Sequence, residues 1–235
     1  MVGLDVAGSM GIIAQKMAQG GLGKLFEYAL DRQPVTGPHL MFLAIGDVFF
    51  DDAPLQASQF ESDITIGQQL KDIYLEGGGG NNPFESYDLP WYFAAKRTST
   101  DCFEKRGKKG YLFTIGDEMP PTEGLPAHRL RQVFDDTDST SYTAQELLAM
   151  AHEKYNVFHI IVEEGSYARR ALSRVNEAWA QLLGPGAVNL SDYNYIAEVI
   201  ISVIEVTEGK DPVDVIQSWP KEVQPIVAKA ISKLV

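Results

Sequence analysis

Three short stretches of this chain offer hard oxygen ligands where one structural element gives way to the next. They are Asp5-Val6-Ala7-Gly8-Ser9-Met10, Gly77-Gly78-Gly79-Gly80-Asn81-Asn82-Pro83, and Gly116-Asp117-Glu118. None carries cysteine or histidine. Carboxylate, hydroxyl and amide oxygens suit Mg²⁺, Ca²⁺ or Mn²⁺ rather than a softer metal. Brought to one end of a sheet, the three stretches would hold a single divalent cation.

The elements that must position them are legible from periodicity. Residues 2–6 read as a short buried strand ending on Asp5, and 10–31 as a helix interrupted by Gly20, Gly21 and Gly23. Residues 39–45 form a continuous apolar run, the pattern of a strand covered on both faces. Residues 55–60 alternate and predict an antiparallel edge strand. Residues 64–74 predict a helix, and 84–98 another that Pro90 must kink or shorten from its start. Residues 111–115 predict a central strand. Thr143 with Glu146 three residues on marks the start of a helix over 142–155. Strands at 157–162 and 187–190 alternate with helices at 166–183 and 193–206. The expected architecture is α/β: a doubly wound, mostly parallel six-stranded sheet with helices on both faces over residues 1–208. Residues 209–235 form a C-terminal helical extension of two short helices split by Pro220.

In such a sheet, ligands bind beyond the carboxyl ends of the strands. Asp5 and Asp117 both fall there, with Ser9 at the start of the first helix. Two carboxylates at close range favour a cation between them. Taken singly, each aspartate reads first as a helix cap or turn residue; the pair with the intervening glycine loop favours the metal.

The same residues resemble the von Willebrand factor type A (VWA) domain. Asp5-x-x-Gly8-Ser9-Met10 is similar to the Asp-x-Ser/Thr-x-Ser of that family's metal-ion-dependent adhesion site (MIDAS). Gly78-Gly79-Gly80-Asn81-Asn82-Pro83, with Glu85 and Ser86 following, resembles its Gly-Gly-Gly-Asp-x-Pro-Glu loop. Phe60-Glu61-Ser62-Asp63 is similar to its Phe-Thr-Ser-Asp, and Asp117 matches its strand-ending aspartate. The resemblance covers about residues 1–207 and looks like the variants of bacteria and their viruses. It implies that Asp5 and Ser9 are first-loop ligands, that Asn81 or Asn82 holds the second-loop position, and that Asp117 acts as the third-loop carboxylate, often through water. Glu85, Ser86, Tyr87 and Glu118 would flank them on the ligand-binding face. Two departures weaken the site. Ala7 stands where the family has a hydroxyl, and an asparagine supplies a neutral oxygen in the second loop. Fewer ligands and less charge lower cation affinity, so the ion is expected to bind weakly or not at all.

Composition limits the partners. A net charge of −12 over 235 residues argues against nucleic acid and against an anionic membrane surface. No apolar run reaches the ~18 residues of a membrane helix, and no basic region precedes an apolar core at the N-terminus, so no signal peptide is expected. Cys102 is the single cysteine, which excludes an internal disulfide and a cysteine zinc site. The expected location is cytoplasmic.

Other motifs carry less. Gly20-Gly21-Leu22-Gly23-Lys24-Leu25 lacks the preceding strand and the Ser/Thr of a phosphate loop. His39, His128, His152 and His159 show no metal spacing; His39 and His159 read as strand residues. Tyr87, Trp91, Tyr92 and Phe93 read chiefly as core, with Tyr87 and Trp91 as candidates for the ligand face. Residues 135–138 read as a solvated acidic loop.

The sequence therefore predicts a non-enzymatic protein-interaction module. A partner's carboxylate would complete the coordination of a divalent cation, Mg²⁺ first, with Ca²⁺ or Mn²⁺ as alternates. A metal-independent VWA-like scaffold is one alternative. A metal-dependent hydrolase or phosphotransferase built on Asp5 and Asp117 is another. The apolar faces of residues 209–235 are expected to pack on the domain or to mediate self-association.

Overall fold

In the computed structural model, residues 1–63, 66, 69, 73–74, 85–135, 137 and 140–234 are described. Six strands form one sheet in the order β3-β2-β1-β4-β5-β6. They are β1 (Val2–Asp5), β2 (Phe42–Ile45), β3 (Leu55–Ala57), β4 (Gly110–Gly116), β5 (Tyr155–Val162) and β6 (Ala187–Leu190). β3 is antiparallel at one edge and every other pairing is parallel. This is the predicted sheet, with residues 2–6 central.

Among the described residues, the α-helices of five residues or more are α1 (Ile12–Lys16), α2 (Gly23–Arg32), α3 (Asp88–Arg97), α4 (Ala127–Phe134), α5 (Ala144–Lys154), α6 (Ala168–Leu183), α7 (Ile196–Thr207), α8 (Pro212–Gln217) and α9 (Gln224–Ile231). Strand alternation sorts their cores. Val2, Leu4, Phe42, Ala44, Phe113, Ile115, Phe158 and Ile160 point into a cluster completed by α1, α2, α7 and α9. Leu43, Ile45, Leu112, Val157 and Ile161 point into the opposite cluster, with α3, α5 and α6. Two helical layers thus sandwich the sheet.

Local sequence explains the element ends. The glycines of the first helix convert its middle into a π-helical turn, Met17–Gly21, between α1 and α2. Gly21 has a packing role there, because a Cβ would lie 2.6 Å from the Ile196 side chain. Pro90 moves the start of α3 to Asp88, leaving the proline in the first turn where no intrahelical N–H is needed. Thr143 and Glu146 form the expected capping box of α5. His39 departs from expectation: it is exposed before β2, its Nδ1 3.2 Å from the Gly37 carbonyl. The helix expected over 64–74 lies mostly outside the described residues.

The two C-terminal helices complete the first cluster. Val215, Trp219, Val223, Val227, Ala230 and Ile231 are buried. The Trp219 indole N–H donates to Ser202 Oγ at 2.7 Å, Tyr28 meets its ring edge-on at 5.3 Å, and the Arg32 guanidinium lies 4.0 Å over it. Arg32 also donates twice to the fully buried Glu205, which Lys210 reaches at 2.8 Å. Their own domain thus covers most of these apolar faces, while Val213 stays 56% exposed.

Candidate functional site

Parallel pairing brings Asp5 and Asp117 together. Leu4 of β1 is in register with Ile115 of β4, so both chains leave the sheet at the same end and adjacent to each other. Asp5 is wholly buried. Its Oδ1 accepts from the Ala7 N–H at 2.9 Å and its Oδ2 from the Tyr87 hydroxyl at 2.7 Å. Asp117, also wholly buried, accepts from the Ser9 hydroxyl at 2.7 Å and from the Tyr167 N–H at 2.7 Å. The loop after β5 thus closes over the site, and the Ser166 N–H bonds the Ser9 carbonyl.

Two glycines make this approach possible. A Cβ on Gly116 would collide with the Tyr87 hydroxyl and stand 2.8 Å from Asp5 Oδ2, and one on Gly165 would collide with the Asp117 side chain.

Further carboxylates crowd in. Glu85 and Glu118 are buried, and among the described residues the Oε2 of each has no hydrogen-bond partner. Burial, with Asp117 and Glu118 adding like charge, pushes Asp5 well above the usual carboxylate range, against the lowering effect of the Tyr87 and Ala7 donors. Burial and then the Asp117 charge push Glu118 up to about 7. Burial, Asp5 and Glu118 push Glu85 up to about 11. The cluster therefore gathers negative charge with little positive charge to offset it.

Beneath it lies an aromatic floor. Tyr87 packs edge-on against His159 at 4.8 Å and Trp179 at 5.4 Å, and His159 stacks on Trp179 at 3.5 Å. The His159 Nδ1 and the Thr114 hydroxyl are 2.8 Å apart, and burial holds this histidine neutral by lowering its pKa well below the usual value.

The structure brings Asp5, Ser9, Glu85, Tyr87, Asp117 and Glu118 to one end of the sheet. Asn81 and Asn82 lie outside the described residues. Glu85, Ser86, Tyr87 and Glu118, expected on a ligand-binding face, are all buried. The reason is that Tyr87 serves as a donor beneath Asp5, and Ser86 Oγ accepts from the Val48 N–H at 3.0 Å to pin the loop after β2. Trp91 is likewise core. Among the described residues, no group of three or more His, Cys, Asp or Glu is gathered closely enough to hold a metal ion.

Sequence reasoning missed Asp47, a buried carboxylate whose charge reaches Glu85 and Glu118. A signal was present: β2 ends Ile45-Gly46-Asp47 just as β4 ends Ile115-Gly116-Asp117. Asp88, first residue of α3, was missed too. Burial pushes it up to about 7, against its own and the Leu89 N–H donors. The folded state then holds a proton that the unfolded chain releases near pH ~4. Stability contributed by this group is present below that pH and falls as pH rises towards about 7. Denaturant titrations at about pH 5 and about pH 7.5 should show the parent losing on the order of 2 kcal/mol more than Asp88→Asn. Equal losses would assign the slope to other carboxyls.

No family model matches the chain, and no curated protein matches it in sequence. Solved structures do match in fold. The pilus adhesin SpaC of Lactobacillus rhamnosus GG, in its open conformation, aligns with a TM-score of 0.54 and 10% identity over 92% of this chain and 30% of that one. Proximal thread matrix protein 1 of the mussel byssus, in a form with a zinc-occupied MIDAS motif, aligns with a TM-score of 0.53 and 11% identity over 88% of this chain and 47% of that one. The fold is VWA-like. A von Willebrand factor type A protein from Catenulispora acidiphila aligns more loosely, with a TM-score of 0.44 and 14% identity over 89% of this chain and 42% of its own. At these identities the likeness is one of architecture, and the chain spans less than half the length of each of these proteins. The VWA-like sheet order also places β1 and β4 side by side, which is what sets Asp5 against Asp117.

Proposed function

We propose that this chain is a VWA-like protein-interaction module that works through the loop end of its sheet. Asp5, Ser9 and Asp117, with Asn81 or Asn82 of the second loop, would hold a divalent cation there. A carboxylate of a protein partner would be its last ligand. One observation carries the reading: buried carboxylates converge at the ends of β1 and β4, and the Oε2 atoms of Glu85 and Glu118 have no hydrogen-bond partner among the described residues. An all-oxygen donor set with excess negative charge fits Mg²⁺, Ca²⁺ or Mn²⁺. When bound, the ion would supply the positive charge the cluster lacks. Adhesin and matrix-protein neighbours of the same fold agree with a binding role.

We read the module as non-enzymatic. The Ser9 hydroxyl is committed to Asp117, and the histidine that touches Tyr87 is sealed against Trp179. A metal-independent scaffold is the second reading, favoured by Asp5 already accepting from Tyr87 and Ala7.

Calorimetry with Mn²⁺ separates the two readings. The parent should bind weakly, Ala7→Ser should tighten binding roughly tenfold by restoring a hydroxyl, and Asp5→Ala should abolish it. Indistinguishable isotherms from all three proteins would reject the cation site and leave the scaffold.

A further inference from the structure

A second feature of the loop end is a cavity of about 340 Å³ beside the carboxylate cluster. It lies between the loop after β2 and residues 121–125. Asp47, Glu85, Asp88 and Glu123 line it, with Phe49 and Phe50 at its rim. Its size is at the small end of ligand pockets, about 300–1,000 Å³. Phe49 and Phe50 are 40% and 62% exposed, large for phenylalanine in a folded chain. The side chain of Glu85 is 4% exposed and, among the described residues, its Oε2 lacks a partner.

From the acidic wall, the bare aromatic rim and the unpartnered Glu85 oxygen, we propose that this pocket receives an arginine side chain from a polypeptide partner. Several features select that chemistry. The lining offers carboxylates and aromatic faces but no lysine or arginine. A planar guanidinium donates in a fork to a carboxylate and stacks on aromatic rings at the same time. The rim already shows this affinity within the molecule, since the Arg129 guanidinium sits 5.0 Å over the Phe49 ring. Phe50 is the more exposed of the two rings. Burial first, then the carboxylates of Asp5, Glu118, Asp47 and Asp51, raises the Glu85 carboxyl above the usual carboxylate range. An entering guanidinium supplies the countercharge that lets it ionise.

This inference rests on the loop end being the partner-binding face but not on the cation, so it is tested with a chelator present throughout. Labelled full-length protein is titrated with the peptide acetyl-Gly-Arg-Gly-amide, its citrulline counterpart and agmatine, followed by amide chemical shifts. The arginine peptide should give saturable shifts centred on Val48, Phe49, Phe50 and Gly124. Glu85→Gln should weaken it roughly tenfold or more, the scale of a lost buried charge partner. Phe50→Ala, on an exposed loop where folding is not at issue, should weaken it roughly two- to fivefold. Absence of saturable shifts at these amides, equal shifts from the citrulline peptide, or unchanged affinity in Phe50→Ala would overturn the proposal. Tighter binding of agmatine than of the peptide would overturn the polypeptide assignment. Failure here leaves the Mn²⁺ isotherms untouched, and failure of those leaves this result standing.

Discussion

Trp219→Ala should destabilise the protein by about 3–5 kcal/mol, the range for deleting a buried aromatic side chain. The indole sits between Tyr28 and the Arg32 guanidinium and anchors the segment joining α8 to α9. Removing it opens a cavity against α2 and α7. It also strips the Ser202 hydroxyl of the donor at 2.7 Å. Trp219→Phe isolates that last contribution: it keeps most of the apolar volume and loses the N–H, at about 1 kcal/mol. Denaturant unfolding with a fixed m-value measures both. A loss below about 1 kcal/mol in Trp219→Ala would mean that residues 209–235 are an appendage rather than part of the core.

Arg32→Ala is expected to cost about 3 kcal/mol. Glu205 is fully buried, and two of its three recorded donors come from Arg32, at 3.2 and 2.7 Å. Removing them leaves a buried carboxylate facing Lys210 alone, and breaking one side of a buried pair is costly. Replacing both partners is a different experiment. Arg32→Met with Glu205→Leu should recover most of the loss, because apolar replacements of a buried ion pair are often neutral. A double variant as unstable as Arg32→Ala would show that the guanidinium matters for its cover over Trp219 rather than for its charge. The Trp219 and Arg32 effects should not add, since the two side chains touch.

How much of this was legible in sequence varied with the physical origin of each feature. The strands were plain because a parallel sheet covered on both faces needs unbroken apolar runs, and residues 39–45 and 157–162 are such runs. The pairing of Asp5 with Asp117 followed from topology, because both end strands that must neighbour each other. α4 escaped notice because, of its eight residues, Leu130 alone is fully buried, so periodicity had almost nothing to mark. Tyr87 was only half legible: it read chiefly as core, which it is, but its role as a donor was hidden. An aromatic with a hydroxyl reads as surface or core, and only the three-dimensional approach of Gly116 shows that its oxygen is aimed at Asp5. Burial of Glu85 and Glu118 was invisible for the same reason. Charged residues in loops are normally solvated, and the loops that close over these come from distant parts of the chain.

The contact between Tyr28 and Trp219 spans most of the chain, and that separation sets a timetable for folding. During synthesis at about 5–20 residues per second, α2 leaves the ribosome roughly 10–40 s before the indole that covers it. Through that interval Leu25, Phe26 and Ala29 have a sheet to join but lack part of their outer cover. Long-range closure of this kind slows folding and leaves apolar surface open to other chains. Nascent chains arrested before residue 219 should therefore engage chaperones or aggregate. Chains arrested far enough beyond residue 231 for α9 to clear the exit tunnel should become protease-resistant in a single late step.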